Sequence, residues 1–364
     1  MLRLIFTLDY EIHGNGEGCP QKLMVEPTDR LLRLFDEHGA HLTIMADVAE
    51  ILKFKEYAER RGNDDYHYRQ VVAQLQDAAR RGHDVQLHLH SSYFNARHDG
   101  KRWVQDWAEY NFAGLSLQRL HEMVGLGKAY LESILKPANP NYRCLAFRAA
   151  NWSVSPSKNV VKALTSNGIK IDTSVFKYGW RAGMVNFDYA DAYSDLIPWR
   201  VNEDNLCLRD DQGELWEFPI YAEKRWIGAF LTPNRVYRAI QSWWHHLSEV
   251  GDGDLVNQAS NTAKWRSRLD RLLRVAQRHA WKADFNQCTG RQLIAALKRA
   301  ERKCPTASAD IPLVLIGHSK LFTRLNERSL RRCLHFVGQN RGRFGYATFG
   351  MFALEQKNAL LFAP

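Results

Sequence analysis

Residues 5–11, IFTLDYE, form a short apolar run that ends in two acids, Asp9 and Glu11. Uninterrupted apolar runs of this length are typical of strands buried on both faces of a parallel sheet. Four later runs also end in ionisable residues, at 85–90, 145–148, 169–172 and 313–318. In (β/α) barrels the active-site groups lie at the carboxyl ends of several strands. The pattern therefore predicts that these side chains meet at one edge of a sheet.

Strand-like and helix-like patterns alternate along most of the chain. A helix is expected to begin near Pro27 and to end before Gly39, and further helical patterns separate the later apolar runs. Repeated βα units imply a parallel sheet with right-handed crossovers, either open or closed into a barrel. The number of predicted strands favours an incomplete barrel, so we expect an α/β fold in which residues 1–364 form a single domain.

The segment 234–303 differs from the rest in composition. It is rich in Arg and Lys, its periodicity is helical, and it contains Trp243, Trp244, Trp265 and Trp281. We interpret it as a basic helical insertion between the sixth predicted strand, 215–220, and the seventh, 311–316.

The bulk composition is that of an ordinary soluble protein, with 45% hydrophobic and 25% charged residues. No run approaches the roughly 18–20 apolar residues that a membrane span requires. The first residues lead directly into a strand and lack the features of a signal peptide. The six cysteines form no Cys-x-x-Cys pair, which argues against a zinc ribbon and fits reduced thiols. These observations predict a cytoplasmic protein.

The net charge of +10 is compatible with an anionic partner, such as an acidic glycan, a diphosphate carrier, a membrane surface or nucleic acid. A solvated basic face is the simpler explanation. Basic residues interleaved with tryptophans are ingredients of single-strand binding, but no recognised motif supports nucleic acid as a partner. The sequence does not indicate an oligomeric state.

Two pairs of residues suggest a metal site. His88 and His90 point to the same face of a strand, and a carboxylate from a neighbouring strand would complete three ligands. Three protein ligands with one open position are typical of catalytic zinc-like ions. Asp9 and Glu11 also share a face, so one could bind the cation while the other accepts a proton from water. Alternatively, these are ordinary polar residues at strand ends.

Three further residues end apolar runs. A buried arginine needs an acidic partner, and we expect Arg148 to pair with Asp9. Asp172 and His318 are expected to form a second acid–histidine couple, in which the acid orients the imidazole as a general acid.

These motifs resemble those of the polysaccharide deacetylase family, the NodB-homology domain of carbohydrate esterase family 4. Residues 7–11, 82–90, 147–148, 171–174 and 315–318 correspond in order to its five motifs. Two departures stand out. The usual adjacent Asp-Asp is Asp9-Tyr10-Glu11, and Ser92 stands where the second metal histidine is expected, so that His90 must replace it. Within the family the chain looks most similar to the WbmS-like branch, found among surface-polysaccharide genes.

The resemblance implies an incomplete or distorted (β/α) barrel and a single divalent metal ion, with Zn²⁺ as the first candidate. It implies removal of an N-acyl group, acetyl in the simplest case, from an amino sugar of a polysaccharide or carrier-linked glycan. The implied roles are metal ligation by Glu11, His88 and His90, base catalysis by Asp9 beside Arg148, acid catalysis by His318 oriented by Asp172, and substrate contact by Asn151 and Trp152. Two alternatives stay open: hydrolysis of another amide, such as a formyl-sugar or a ureide, and a catalytically silent glycan- or lipid-carrier-binding protein.

Overall fold

The computed structural model describes residues 1–12, 14–237, 277–304 and 310–355. Its strands are β1 (Leu2–Tyr10), β2 (Leu42–Asp47), β3 (Asp84–Leu89), β4 (Arg97–His98), β5 (Trp103–Val104), β6 (Ala146–Ala149), β7 (Ile171–Asp172), β8 (Trp180–Arg181), β9 (Phe187–Asp188), β10 (Trp199–Arg200), β11 (Trp216–Glu217), β12 (Ala222–Trp226), β13 (Arg278–Lys282), β14 (Ile311–His318) and β15 (Phe344–Tyr346). Its α-helices are α1 (Glu26–Glu37), α2 (Val48–Arg61), α3 (Tyr68–Arg80), α4 (Leu117–Leu135), α5 (Lys158–Ser166), α6 (Gly290–Lys303), α7 (Arg324–Gln339) and α8 (Phe349–Glu355).

One large sheet organises the described residues. Its strand order is β10-β11-β7-β6-β3-β2-β1-β14, and β15 pairs with the beginning of β1. All pairs are parallel except that between β10 and β11. The sheet is an open, strongly curled half-barrel, and an isolated bridge between Ile220 and Val314 connects its two sides. The predicted α/β fold of the incomplete-barrel type is confirmed.

Apolar packing between sheet and helices fixes the central strands. β1 is buried along nearly its whole length, and Phe6 packs edge-on against Phe35 of α1 with ring centroids 5.1 Å apart. Pro27 lies in the first turn of α1, where its missing N–H costs no helical hydrogen bond. The helix ends before Gly39, whose φ of +58° lies in the left-handed region.

The predicted helical insertion at 234–303 is wrong for part of its length. Residues 278–282 form strand β13, which pairs antiparallel with β12 and buries Trp281 to 3% exposure. The partner strand lies more than fifty residues earlier in the chain, so local periodicity carries no signal of the pairing. Trp243, Trp244 and Trp265 lie outside the described residues. The single-domain organisation stays a prediction.

No helix in the described ranges combines the length and the apolar character needed to cross a membrane.

Strands β1, β3 and β14 run parallel, and their carboxyl ends reach the same edge of the half-barrel. Across this edge the register places Asp9 opposite His318 and His88 opposite Arg148. Residues that are hundreds of positions apart in the chain are thereby brought together.

Candidate active site

Three buried side chains at this edge form a candidate metal centre. Glu11, His88 and His90 each offer a ligand atom, and these atoms lie within 4.8 Å of one another. The Nε2 atom of His88 is 3.2 Å from Oε2 of Glu11, and Nδ1 of His90 is 3.4 Å from the same oxygen. The grouping is the one expected from the sequence, and its metal-binding role stays a prediction.

The hydrogen bonds of the two histidines fit a cation at this point. The Nδ1 atom of His88 lies 2.9 Å from the backbone oxygen of Arg148, and Nδ1 of His90 lies 2.7 Å from a carboxylate oxygen of Asp47. Both partners are acceptors, so each Nδ1 carries a proton. Metal-binding histidines are typically held by such bonds on their other nitrogen. Burial alone would lower the pKa of His88, but the hydrogen bond to Glu11, followed by the Asp9 charge, raises it. His88 Nε2 and the Glu11 carboxylate therefore favour positive charge between them, which either a proton or a divalent cation can supply.

Asp47 and Glu50 form a second acidic group around His90 that the sequence analysis missed. Asp47 caps α2 by accepting a bond from the Ala49 N–H, and Glu50 accepts the Ile12 N–H at 2.8 Å. Burial, followed by the nearby Asp47 charge, raises the pKa of Glu50 well above its usual range. Because Asp47 already accepts from Ala49 and His90, and Glu50 accepts from Ile12, we interpret Asp47 as orienting His90 and Glu50 as fixing the backbone after β1. Asp47 is the last residue of the apolar strand β2, so the strand-end rule would have found it.

The structure shows the expected ion pair between Asp9 and Arg148. The Nη1 atom of Arg148 lies 2.6 Å from Oδ1 of Asp9, and both side chains are buried. Burial by itself would raise the pKa of Asp9, but the charge of Arg148 outweighs it and lowers that pKa. Asp9 is therefore held ionised beside the candidate metal ligands.

The predicted couple between Asp172 and His318 is wrong. The Nε2 atom of His318 instead lies 3.5 Å from Oδ2 of Asp9 and 4.0 Å from Oε1 of Glu11. Asp172 accepts the Ser174 hydroxyl at 2.8 Å and contacts Glu217. The register explains the difference, since β14 lies beside β1 while β7 lies between β6 and β11.

His318 is held neutral by its surroundings. Burial lowers its pKa, an effect that the carboxylates of Asp9 and Glu11 oppose. In the described part of the chain, its buried Nδ1 makes no hydrogen bond. Its role as an acid stays a prediction, and Asp172 does not orient it.

Lys320 is a further site residue that sequence reasoning missed. Its side chain is 2% exposed, and its Nζ lies 3.1 Å from Oε1 of Glu11 and donates to the Ile12 backbone oxygen. Burial would raise the pKa of Glu11, but Lys320, followed by His90, holds it well below its usual range. The position of Lys320 two residues after His318 was the available signal.

Asn151 and Trp152 form a strained turn that begins one residue after β6. Both have φ near +56°, a left-handed conformation that non-glycine residues seldom adopt and that often marks functional sites. Asn151 accepts a bond from Arg181 Nη1 at 3.0 Å. Trp152 packs against Phe176, and the Nζ of Lys282 lies over its ring. Substrate contact by both residues stays a prediction.

Comparisons with known proteins bear on the fold. No family model matches the chain, and no curated protein matches its sequence. A solved structure from Mycobacterium smegmatis, assigned as a polysaccharide deacetylase, superposes with a TM-score of 0.50 at 13% identity, covering 99% of this chain and 92% of that one. The 4-alpha-glucanotransferase of Thermococcus litoralis also reaches a TM-score of 0.50, at 10% identity over 97% of this chain but 40% of its own. At such identities the likeness shows a shared fold.

Proposed function

We propose that the protein is a metal-dependent hydrolase that removes an N-acyl group, acetyl in the simplest case, from an amino sugar of a polysaccharide or carrier-linked glycan. The observation that carries the proposal is the convergence of Glu11, His88 and His90 beside the Asp9–Arg148 ion pair. The fold shared with a structure assigned as a polysaccharide deacetylase supports the same class of reaction. We propose the WbmS-like branch of this family because the first and second motifs depart from the usual pattern. We also propose that the protein is located in the cytoplasm.

The arrangement can carry out amide hydrolysis. When bound, a divalent cation, with Zn²⁺ as the first candidate, supplies polarisation of the acyl carbonyl and acidification of water. Asp9 is ionised beside Arg148 and accepts the proton of the attacking water. Because His318 Nε2 lies 3.5 Å from Asp9, the same proton can pass to the neutral imidazole and then to the leaving amine. This route does not require a second carboxylate to orient His318.

One observation favours the silent binding protein as a second candidate. The buried ammonium of Lys320 lies 3.1 Å from Glu11 and already compensates part of the charge that a metal ion would neutralise. A chain that had lost its metal could keep Glu11 in place by this contact. Hydrolysis of a formyl-sugar or ureide uses the same groups as deacetylation, so only a substrate panel separates those reactions.

The decisive experiment is elemental analysis of purified protein together with acetate release from a panel of N-acetyl amino sugars. We expect Glu11→Ala and His88→Ala to lose the metal ion, whereas Asp9→Asn keeps it and loses turnover by about 10²–10⁴-fold. His121→Ala, which removes a surface histidine of α4, is the matched control and should keep both metal and activity.

Three outcomes would contradict the proposal or change it. Metal retained by both Glu11→Ala and His88→Ala would refute the ligand set. Metal lost only from the Asp9 variant would reverse the roles of the two acids. Bound metal without turnover on any acyl sugar would favour the silent binding protein.

A further inference from the structure

Lys282, the last residue of β13, occupies an unusual position beside the candidate active site. Its Nζ lies 3.3 Å from the centroid of the Trp152 ring and 4.5 Å from that of Phe176. The two rings stand nearly perpendicular to each other, with centroids 5.5 Å apart. The side chain therefore ends in an aromatic cradle that holds it by cation–π contacts.

This ammonium group has hydrogen-bonding capacity that the described residues do not use. An ammonium carries three N–H donors, and aromatic faces satisfy them only by electrostatic attraction. Among the residues that the structure describes, none accepts a hydrogen bond from Lys282 Nζ. Burial lowers the pKa of Lys282 to about 7, while the charges of Asp284 and Asp9 oppose that shift. An anion brought to this point would find an unsatisfied donor in a partly dehydrated place.

Charged groups of both signs lie near Lys282, and the acids Asp284 and Asp9 influence it more strongly than the arginines do. Arg148 and Arg235 lie close enough to disfavour the charged form of Lys282, and Arg181 donates to Asn151 next to Trp152. Asn151 Nδ2 is itself a buried donor without an acceptor in the described ranges. Lys282 Nζ and Asn151 Nδ2 are thus two donors beside Trp152 for which the described residues provide no acceptor.

The position of Lys282 also limits what Trp152 can bind. Its Nζ occupies one face of the indole ring at 3.3 Å, so a neutral sugar ring cannot stack on that face without displacing it. A sugar bearing a negative group can keep the ammonium in place and gain a charge-assisted hydrogen bond from it. The geometry favours an acidic over a neutral substrate.

We propose that Lys282 determines specificity for an acidic N-acyl amino sugar by binding a carboxylate or phosphate oxygen of the substrate beside Trp152. This inference rests on the proposed deacylase function, because it specifies the substrate class of the same site. The anionic group can come from two sources, a uronic-type carboxylate on the sugar or a phosphate ester.

The test compares three ligands by isothermal titration calorimetry: N-acetylglucosamine, its 6-phosphate and its 6-carboxylate analogue. We expect one of the two anionic sugars to bind wild type at least about tenfold more tightly than the neutral sugar, and the favoured one identifies the source of charge. Lys282→Met should reduce this preference to less than about twofold, whereas Lys282→Arg should retain most of it. Lys298→Met removes a lysine that lies over the Phe336 ring, 5.3 Å from its centroid, and is the matched control.

Two results would overturn the inference. The first is that neither anionic sugar binds the wild-type protein more tightly than the neutral sugar does. The second is a preference that survives Lys282→Met, in particular one that disappears in His88→Ala, which would assign the anion to the metal centre. Because calorimetry measures binding directly, the comparison of the three sugars can be interpreted even if the protein shows no turnover or binds no metal ion.

Discussion

Two pairs of buried acids lie at the same edge of the half-barrel and differ in charge. Asp9 and Glu11 lie among basic side chains, and both pKa values are lowered in spite of burial. Asp172 contacts Glu217, and burial raises both of their pKa values, that of Glu217 well above its usual range. The first pair is ionised, whereas the second holds a proton.

The difference shows that burial does not decide the charge of an acid at a strand end. Burial is the largest influence on all four carboxyl groups and always disfavours ionisation. Only the first pair has Arg148, Lys320 and the histidines close enough to reverse that effect. A proton acceptor is therefore available at Asp9 and not at Glu217, where the pair serves to hold neighbouring strands.

The largest effect is expected where the compensating cation is removed from the first pair. Arg148→Met leaves the buried Asp9 carboxylate without its partner at 2.6 Å. We expect the free energy of unfolding, measured by urea titration, to fall by about 3–5 kcal/mol. The double variant Asp9→Asn/Arg148→Met should recover part of this loss.

Arg119→Met is the matched control for Arg148→Met, because Arg119 pairs with Glu109 at 2.8 Å closer to the surface. It should cost no more than about 1 kcal/mol. Equal losses for the two arginines would show that the charge of the first acid pair does not depend on Arg148.

A smaller, pH-dependent effect is expected from the second pair. Because the pKa of Glu217 is higher in the folded state than in the unfolded state, the folded state binds more protons at pH values between the two. The free energy of unfolding therefore falls as the pH rises from the unfolded pKa to the folded pKa. Glu217→Gln removes this penalty and keeps an oxygen for the Val175 N–H. We expect a gain of about 1–3 kcal/mol at pH 8 and little change near pH 4, measured by urea unfolding.

Glu214→Gln, at an exposed position three residues earlier, should show no such pH dependence and serves as the control. A loss of stability of the same size at both pH values would mean that Glu217 acts as a charged group. The contrast between the two acid pairs would then fail.

The smallest effect is expected for turnover in Asp172→Asn. Asp172 contacts Ser174 and Glu217 and lies apart from His318, so the rate and its pH profile should stay within about twofold of wild type, against the 10²–10⁴-fold loss expected for Asp9→Asn. Steady-state kinetics over pH 5–9 on the best substrate of the panel would measure this. A shifted pH profile would instead indicate that Asp172 influences the protonation of His318, as the sequence predicts.

Much of the site could be predicted from local patterns. Apolar runs that end in ionisable residues correctly indicated which side chains reach the edge, including Glu11, His88 and His90. The pairing of Arg148 with Asp9 followed from the rule that a buried charge requires a partner. Asp47 obeys the same strand-end pattern, whereas Lys282 does not stand out because the local pattern at 278–282 predicts a helix and not strand β13.

The sequence by itself determined which side chains stand at strand ends, because the uninterrupted apolar runs mark the buried strands and side-chain direction follows from the two-residue period of a strand. Only the tertiary structure decided which of these ends are neighbours. Placing β14 beside β1 brings His318 to Asp9, and placing β11 beside β7 leaves Asp172 with Glu217. Strand order depends on packing between segments far apart in the chain, and local periodicity does not record it.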